Sequence, residues 1–181
     1  MAYKKRCGMA VKAELKGAEF FWNIRSHVGY GYKNDKNDVL LVQFLINRMI
    51  DYHNDQCDVG DEIKTLETDG IFGGQTWNRI KWFQKEVKDD PKMADGMVSP
   101  VDGQRLLSPN TKQLYTIYAL NKGYHLLYKS FYHDIKLDPT CPAALRHYLQ
   151  VTEFTVGPGG SGSGIPFRGF NPVFGDGSVR F

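Results

Sequence analysis

Cysteine is scarce in this chain, and its three copies, Cys7, Cys57 and Cys141, are widely spaced. No Cys-x-x-Cys pair occurs, so the spacing indicates neither a zinc clip nor a disulfide framework. We therefore expect three reduced thiols, no metal ion and no cofactor.

Long apolar runs are missing as well. Near the N-terminus, Met9-Ala10-Val11 is interrupted by Lys12, and this run is too short for the apolar region of a signal peptide. No stretch has the length that crosses a bilayer. The sequence thus predicts no membrane insertion, and a protein made in the cytoplasm without a Sec signal.

A strong excess of charge of one sign is absent too, since the formal net charge is only +3. The most basic stretch is residues 1–16, where five lysines and arginines face a single acidic residue, Glu14. Such a stretch is more often solvated than bound to a polyanion. Nucleic acid is therefore not an expected partner.

Apolar residues are plentiful enough for a core, and their spacing is mainly helical. One buried helix is predicted from Asp38 to Ile50, and a second from Thr76 to Val87 with Thr76 as its N-cap. A third is predicted to begin at Ser108-Pro109 and to end at Gly123. More aromatic helical sequence follows in residues 124–156. The expected fold class is mainly α.

The two ends of the chain differ in composition from its middle. Residues 1–34 hold one amphipathic piece and a glycine-rich polar loop, which predicts an extended N-terminal arm. Residues 157–164, GPGGSGSG, have linker composition. The tail that follows, residues 165–181, carries apolar area that is unfavourable in water. We expect it to dock on its own domain or on a neighbouring subunit through four phenylalanines, Phe167, Phe170, Phe174 and Phe181.

The middle of the chain contains two predicted tight turns that begin with Asp-Gly, in the stretches DGIFGG from residue 69 and DGMVSP from residue 95. We call these turns the first and the second corner. Tight reversals of this kind need glycine, because glycine reaches positive φ without a steric cost. With the segment DVLLVQFLIN from residue 38, the corners resemble the peptidoglycan-binding domain of bacterial and phage cell-wall hydrolases. The matching positions are Val39, Val42, Gln43, Ile46, Asn47, Asp69, Gly70, Phe72, Gly73, Thr76, Phe83 and Gln84.

The resemblance covers residues 38 to about 121 and implies a three-helix bundle in residues 35–123. The helical pattern of residues 124–156 adds C-terminal helices beyond it. It also implies a shallow ligand groove beside the helix ends, near the Asp-Gly loop. The positions that would contact peptidoglycan there are Asp69, Gly70, Gly73, Gln75, Trp77 and Asp95. This sequence departs from the family pattern at Arg79 and in a longer connection between Asn47 and Asp69.

Several of the motif residues also have a structural interpretation. Gln43 and Gln84 lie on otherwise apolar faces, where a buried amide would hydrogen-bond the backbone of a loop rather than stay unpaired. Phe72, between two glycines, would close the end of a helix pair. An exposed indole can stack on a sugar, but for Trp77 and Trp82 a place in the core is favoured.

Candidate catalytic groups form no complete set. His125 and His133 are two helical turns apart, beside Asp134, but this is not the four-residue spacing of a helix-borne zinc site. Cys141 and His147 lack the sequence context of cell-wall cysteine peptidases, and the acidic residues do not indicate a two-lobed glycosidase cleft. We expect no enzyme.

Two functions remain open. The first is a non-catalytic peptidoglycan-binding protein. A cell-wall-binding motif in a protein without a signal peptide indicates a component of a phage particle or a contractile injection machine, because such parts assemble in the cytosol. The second is a structural subunit of such a machine that uses the same fold to dock proteins, its termini tying neighbours into a homo- or hetero-oligomer.

Overall fold

A computed structural model describes residues 2–87 and 91–154, without the side chains of Pro91 and of residues 150–154. Over this part the fold is mainly α, as predicted, with a small two-stranded sheet. The predicted linker 157–164 and the tail with Phe167, Phe170, Phe174 and Phe181 lie outside the described residues. In chain order the elements are β1 (Tyr3–Arg6), α1 (Met9–Glu14), β2 (Phe20–Asn23), α2 (Lys36–Gln56), α3 (Gly74–Val87), a 3₁₀ turn (Pro91–Met93), α4 (Thr116–Leu127), α5 (Lys129–Tyr132), a 3₁₀ turn (Ile135–Leu137) and α6 (Ala143–Phe154).

The long helix α2 is the centre of the packing, and α3, α4 and α6 all contact it. The side chain of Asp35 accepts a hydrogen bond from the Asn37 backbone N–H, 3.1 Å away, and so caps the N-terminus of α2. Residues 38–46 are all buried, which confirms the helix predicted from Asp38 to Ile50. Although α2 is 21 residues long, neither it nor any other described helix combines the length and apolarity needed to cross a membrane.

The N-terminal segment is part of the core, so the predicted extended arm is wrong. Strands β1 and β2 pair antiparallel, with Tyr3 opposite Asn23. Phe21 and Ile24 are fully buried in the cluster that also contains the α2 side chains. The backbone N–H and C=O of Trp22 both pair with the side chain of the α4 residue Asn121, at 2.8 and 2.9 Å. Sequence reasoning missed this because the partners of β2 are distant along the chain.

The third helix begins later than predicted. Ser108-Pro109 lies in a turn, in which the Lys112 N–H donates to the Ser108 carbonyl at 2.9 Å and Lys112 has φ +56°. The turn is closed by a bridge between Leu107 and Leu114. Helix α4 starts only at Thr116 and continues through Gly123. Ser-Pro is common in both turns and helix starts, which explains the error.

The C-terminal helices share the same core. Tyr132, Ile135 and Leu145 are almost fully buried within it. The Tyr124 hydroxyl donates to the carboxylate of buried Asp138 at 2.9 Å. Arg48 of α2 lies 3.5 Å from the same carboxylate, so the predicted helical extension 124–156 is joined to the central helix by a buried charged contact.

His125 of α4 provides a test of this packing. It is almost fully buried, and its Nδ1 lies 2.9 Å from the Leu15 carbonyl oxygen. Burial lowers the pKa of His125 from its ordinary value of 6.5, although the hydrogen bond to Leu15 opposes this. The unfolded chain therefore binds a proton more readily than the native one. We expect the free energy of unfolding to fall as the pH drops through 6.5 and below, as measured by urea denaturation.

A non-titrating variant isolates this contribution. His125→Gln should show a weaker dependence of stability on pH than wild type over the same range, even though it is less stable overall. Equal pH dependence in wild type and His125→Gln would contradict the expected role of His125.

Candidate functional site

The first Asp-Gly corner is held by the side chain of Gln43 on α2. Its Nε2 lies 3.0 Å from Asp69 Oδ1, 3.1 Å from the Ile71 carbonyl oxygen and 3.2 Å from Thr76 Oγ1. Its Oε1 accepts the backbone N–H of Gly70 at 2.9 Å. The Ile71 N–H then donates to Asp69 Oδ1 at 2.8 Å, which closes the turn. One buried amide thus ties the corner to both α2 and α3.

The second corner repeats the arrangement one helix later. Gln84 Nε2 lies 2.8 Å from Asp95 Oδ1, and 2.9 Å from both the Met97 carbonyl oxygen and Thr116 Oγ1. Gln84 Oε1 accepts the Gly96 N–H at 2.8 Å. The Met97 N–H donates to Asp95 Oδ1 at 2.9 Å. The amide of Gln84 therefore joins α3 and the corner to α4.

The two corners are a structural repeat: a glutamine on one helix, an Asp-Gly turn, and a threonine in the first turn of the next helix. The prediction that Gln43 and Gln84 bond loop backbone is confirmed. The prediction that Thr76 is an N-cap is wrong, because α3 begins two residues earlier, at Gly74. The Thr76 hydroxyl instead accepts a hydrogen bond from the Gln43 amide. Sequence reasoning missed the matching role of Thr116, which a long loop separates from its corner.

Three of the predicted ligand residues, Asp69, Gly70 and Asp95, are built into the corners themselves. Partial burial opposes ionisation of Asp69, but hydrogen bonds from the Ile71 N–H and the Gln43 amide keep its pKa below the ordinary value. Gly70 has φ +76°, and a Cβ there would lie 2.8 Å from the carbonyl oxygen of Lys36. These residues shape the site by holding its backbone.

Gly73 and Gln75 are exposed at the start of α3, whereas Trp77 is half-buried. The Trp77 indole lies against the second corner, with Nε1 3.4 Å from the Asp95 carbonyl oxygen. The ammonium of Lys81 sits over the indole, 4.4 Å from the ring centroid. Trp77 therefore packs α3 against the corner, outside the core cluster in which the sequence had favoured it.

The remaining aromatic motif residues also pack inward. Phe72 and Trp82 are half-buried against the core, and Trp82 meets the His53 ring edge-to-face. Phe83 and Ile80 are buried along α3. Asn47 holds the long connection before the first corner, pairing with the Leu66 backbone at 2.7 and 2.8 Å.

Comparison with protein-family models, curated proteins and solved structures finds no match for this chain.

One aromatic residue at the corners was missed by the sequence analysis. Tyr30, in the loop between β2 and α2, lies with its ring centroid 5.4 Å from those of both Phe72 and Trp77. Its side chain is 62% exposed. The sequence around Tyr30 does not indicate this position, because the loop is brought to the corners by a backbone bridge between Val28 and Val98, which are far apart in the chain.

The groups weighed for catalysis lie in different environments. His125 Nδ1 contacts the Leu15 carbonyl, while His133 is exposed. Burial raises the pKa of Cys141 to about 11, so it is a protonated thiol at neutral pH. Among the described residues, no three His, Cys, Asp or Glu side chains are grouped to hold a metal ion.

Proposed function

We propose that this chain is a non-catalytic peptidoglycan-binding protein in which α2, α3 and α4 form a three-helix module similar to the cell-wall-binding domain. The observation that carries the proposal is the repeated corner. The residues through which the sequence resembles that family, above all Gln43, Gln84 and the Asp-Gly pairs, are the ones that hold both corners. The motif therefore works here as a three-dimensional unit.

The surface beside the corners has the chemistry of a site for a neutral, hydrogen-bonding ligand. Gly73 and Gln75 are exposed at the start of α3, and Tyr30 lies next to Trp77. We use the name corner face for the three contacting rings of Tyr30, Phe72 and Trp77 together with Gly73 and Gln75, two exposed residues that precede Trp77 in the chain. An aromatic ring with nearby amide and backbone groups can bind both the apolar and the polar sides of a saccharide.

A sacculus pull-down tests the proposal. Purified protein should sediment with insoluble peptidoglycan sacculi, and Gln75→Glu should reduce the bound fraction at least about fivefold, because the charge would be buried beneath the ligand at an exposed helix position. The matched control is Gln56→Glu. Gln56 is exposed at the other end of α2, roughly 20 Å along that helix from Gln43, so the same change in charge should leave binding intact.

Two results would count against wall binding at the corner face. In the first, wild-type protein stays in the supernatant with sacculi. In the second, Gln75→Glu and Gln56→Glu reduce sedimentation equally, which would point to non-specific attraction between the basic protein and the acidic wall.

A second candidate is a structural subunit of a phage particle or contractile injection machine. The four phenylalanines among the last 17 residues, beyond a glycine-rich stretch, favour this candidate. A chain that ends at residue 156 distinguishes the two. If it still sediments with sacculi but loses an oligomeric state that the full chain shows in light scattering, wall binding belongs to the helical module and assembly to the tail.

A further inference from the structure

Tyr30 is the aromatic residue of the corner face that is open to a ligand. Its side chain is 62% exposed, whereas Phe72 and Trp77 are half-buried. Both neighbours meet it in edge-to-face geometry, with interplanar angles of 87° and 64°. The two half-buried rings therefore contact Tyr30 and help to hold its position.

The loop that carries Tyr30 is fixed in place. Val28 exchanges backbone hydrogen bonds with Val98 at 3.0 and 2.9 Å. The Asn34 side chain bonds both the N–H and the C=O of Gly29, at 2.8 and 3.0 Å. A rigid loop that presents an exposed ring loses little conformational entropy when a ligand binds, which favours affinity.

Trp77, in contrast, has little surface for stacking. The Lys81 ammonium covers one face of the indole. The Nε1 edge of the indole lies close to the second corner: a Cβ on Gly96 would be only 2.1 Å from Trp77 Nε1. A sugar that stacked on that face of Trp77 would have to displace Lys81.

Two carboxylates and one ammonium near the corner face are engaged within the protein, while the exposed Lys36 packs its side chain against Gly70 of the first corner. The carboxylates of Asp69 and Asp95 each accept hydrogen bonds inside their own corner, and Lys81 lies on the Trp77 ring. A single exposed ring is also small beside the roughly 800 Å² per partner that a stable protein interface buries. The glycan strand of peptidoglycan is a chain of N-acetylated amino sugars. Its uncharged pyranose rings can lie flat on a single exposed aromatic ring, so the glycan strand fits this surface better than the charged stem peptide.

We propose that Tyr30, from a loop outside the region of family resemblance, is the residue on which a pyranose ring of the glycan strand stacks. This inference rests on the proposed function and names the part of the polymer that the corner face binds. Phe72 and Trp77 act as positioning residues that hold the Tyr30 ring.

A soluble tetramer of β-1,4-linked N-acetylglucosamine is the probe, titrated into the full chain by isothermal calorimetry. Tyr30→Ala should weaken binding about tenfold, which is the size of effect expected from losing one aromatic contact. Tyr30→Phe keeps the ring and should stay within about twofold of wild type. The matched control is Tyr32→Ala, which removes a 44% exposed tyrosine of the same loop that stacks on His27 instead, and it should also stay within about twofold.

The sacculus pull-down, run beside the titration, separates the two levels of the proposal. If wild type sediments with sacculi but does not bind the tetramer, or if Tyr30→Ala binds it like wild type, the stacking role of Tyr30 is overturned while wall binding stands. An equal loss in Tyr32→Ala and Tyr30→Ala also overturns it. If wild type neither sediments nor binds the tetramer, the proposed function itself fails. Tyr30 is exposed, so unchanged thermal unfolding of Tyr30→Ala is the check that the variant is folded.

Discussion

Replacing Gln84 by methionine should lower the free energy of unfolding by about 3 to 4 kcal/mol, because a side chain of similar size then leaves several buried polar groups unpaired. Gln84 is fully buried. Its amide bonds the Gly96 N–H, the Met97 carbonyl and the Thr116 hydroxyl. Loss of these bonds would remove the hydrogen bonds through which Gln84 joins the second corner to α3 and α4. Urea denaturation of wild type and variant measures the change.

The exposed neighbour Lys85 supplies the control for Gln84. Lys85→Met introduces the same side chain into α3 at a solvent-facing position and should change stability by less than about 0.5 kcal/mol. Gln43→Met should cost about as much as Gln84→Met, since it breaks the equivalent bonds at the first corner. Because the two glutamines share no partner, the double variant should show nearly additive losses. A loss below about 1 kcal/mol for Gln84→Met would mean that the corner is not a source of stability.

Gly96→Ala should destabilise the protein by about 3 kcal/mol or more, for two reasons that add. Gly96 has φ +74°, a conformation that is strained for alanine. The new Cβ would also lie 2.1 Å from Trp77 Nε1 and 2.3 Å from Trp77 Cδ1, so the indole would have to move. Thermal unfolding and urea denaturation both report this loss.

Gly17→Ala separates the strain from the clash. Gly17 also has positive φ, +90°, but a Cβ added there would have no neighbouring atom within 4 Å, so alanine at this position should cost only about 1 to 2 kcal/mol. A double-variant cycle gives the second check: Gly96→Ala should cost less in a Trp77→Ala background than in wild type, because the clashing ring is gone. If the two glycine substitutions cost the same, the close approach of Trp77 to the second corner is not tight enough to matter.

Most of what could be predicted from the sequence is local. The periodicity of apolar residues located α2 and α3, and the position of two glutamines on apolar faces indicated that they bond loop backbone. Predictions failed where distant segments meet. The start of α4 was placed too early because Ser108-Pro109 suits a turn as well as a helix start, and the bridge between Leu107 and Leu114 selects the turn.

The candidate site was predicted in the same partial way. The sequence indicated both Asp-Gly corners, but it favoured a core position for Trp77, which is half-buried and lies against the second corner. It gave no indication of Tyr30, because the position of that ring depends on pairing between Val28 and Val98. It also named Asp69 and Asp95 as ligand contacts, whereas their hydrogen bonds hold the corners themselves.

By itself, the sequence determined that this protein is mainly helical, that two helices lie on either side of an Asp-Gly turn, and that both turns need glycine. These properties follow from side-chain periodicity and backbone sterics, which act over a few residues. Only the tertiary structure decided that the N-terminal strands belong to the core, that the two corners share one hydrogen-bonding design, and that Tyr30 is the exposed ring between them. Such contacts join residues far apart in the chain, and they are selected by the burial of apolar side chains and the pairing of buried polar groups rather than by any local preference.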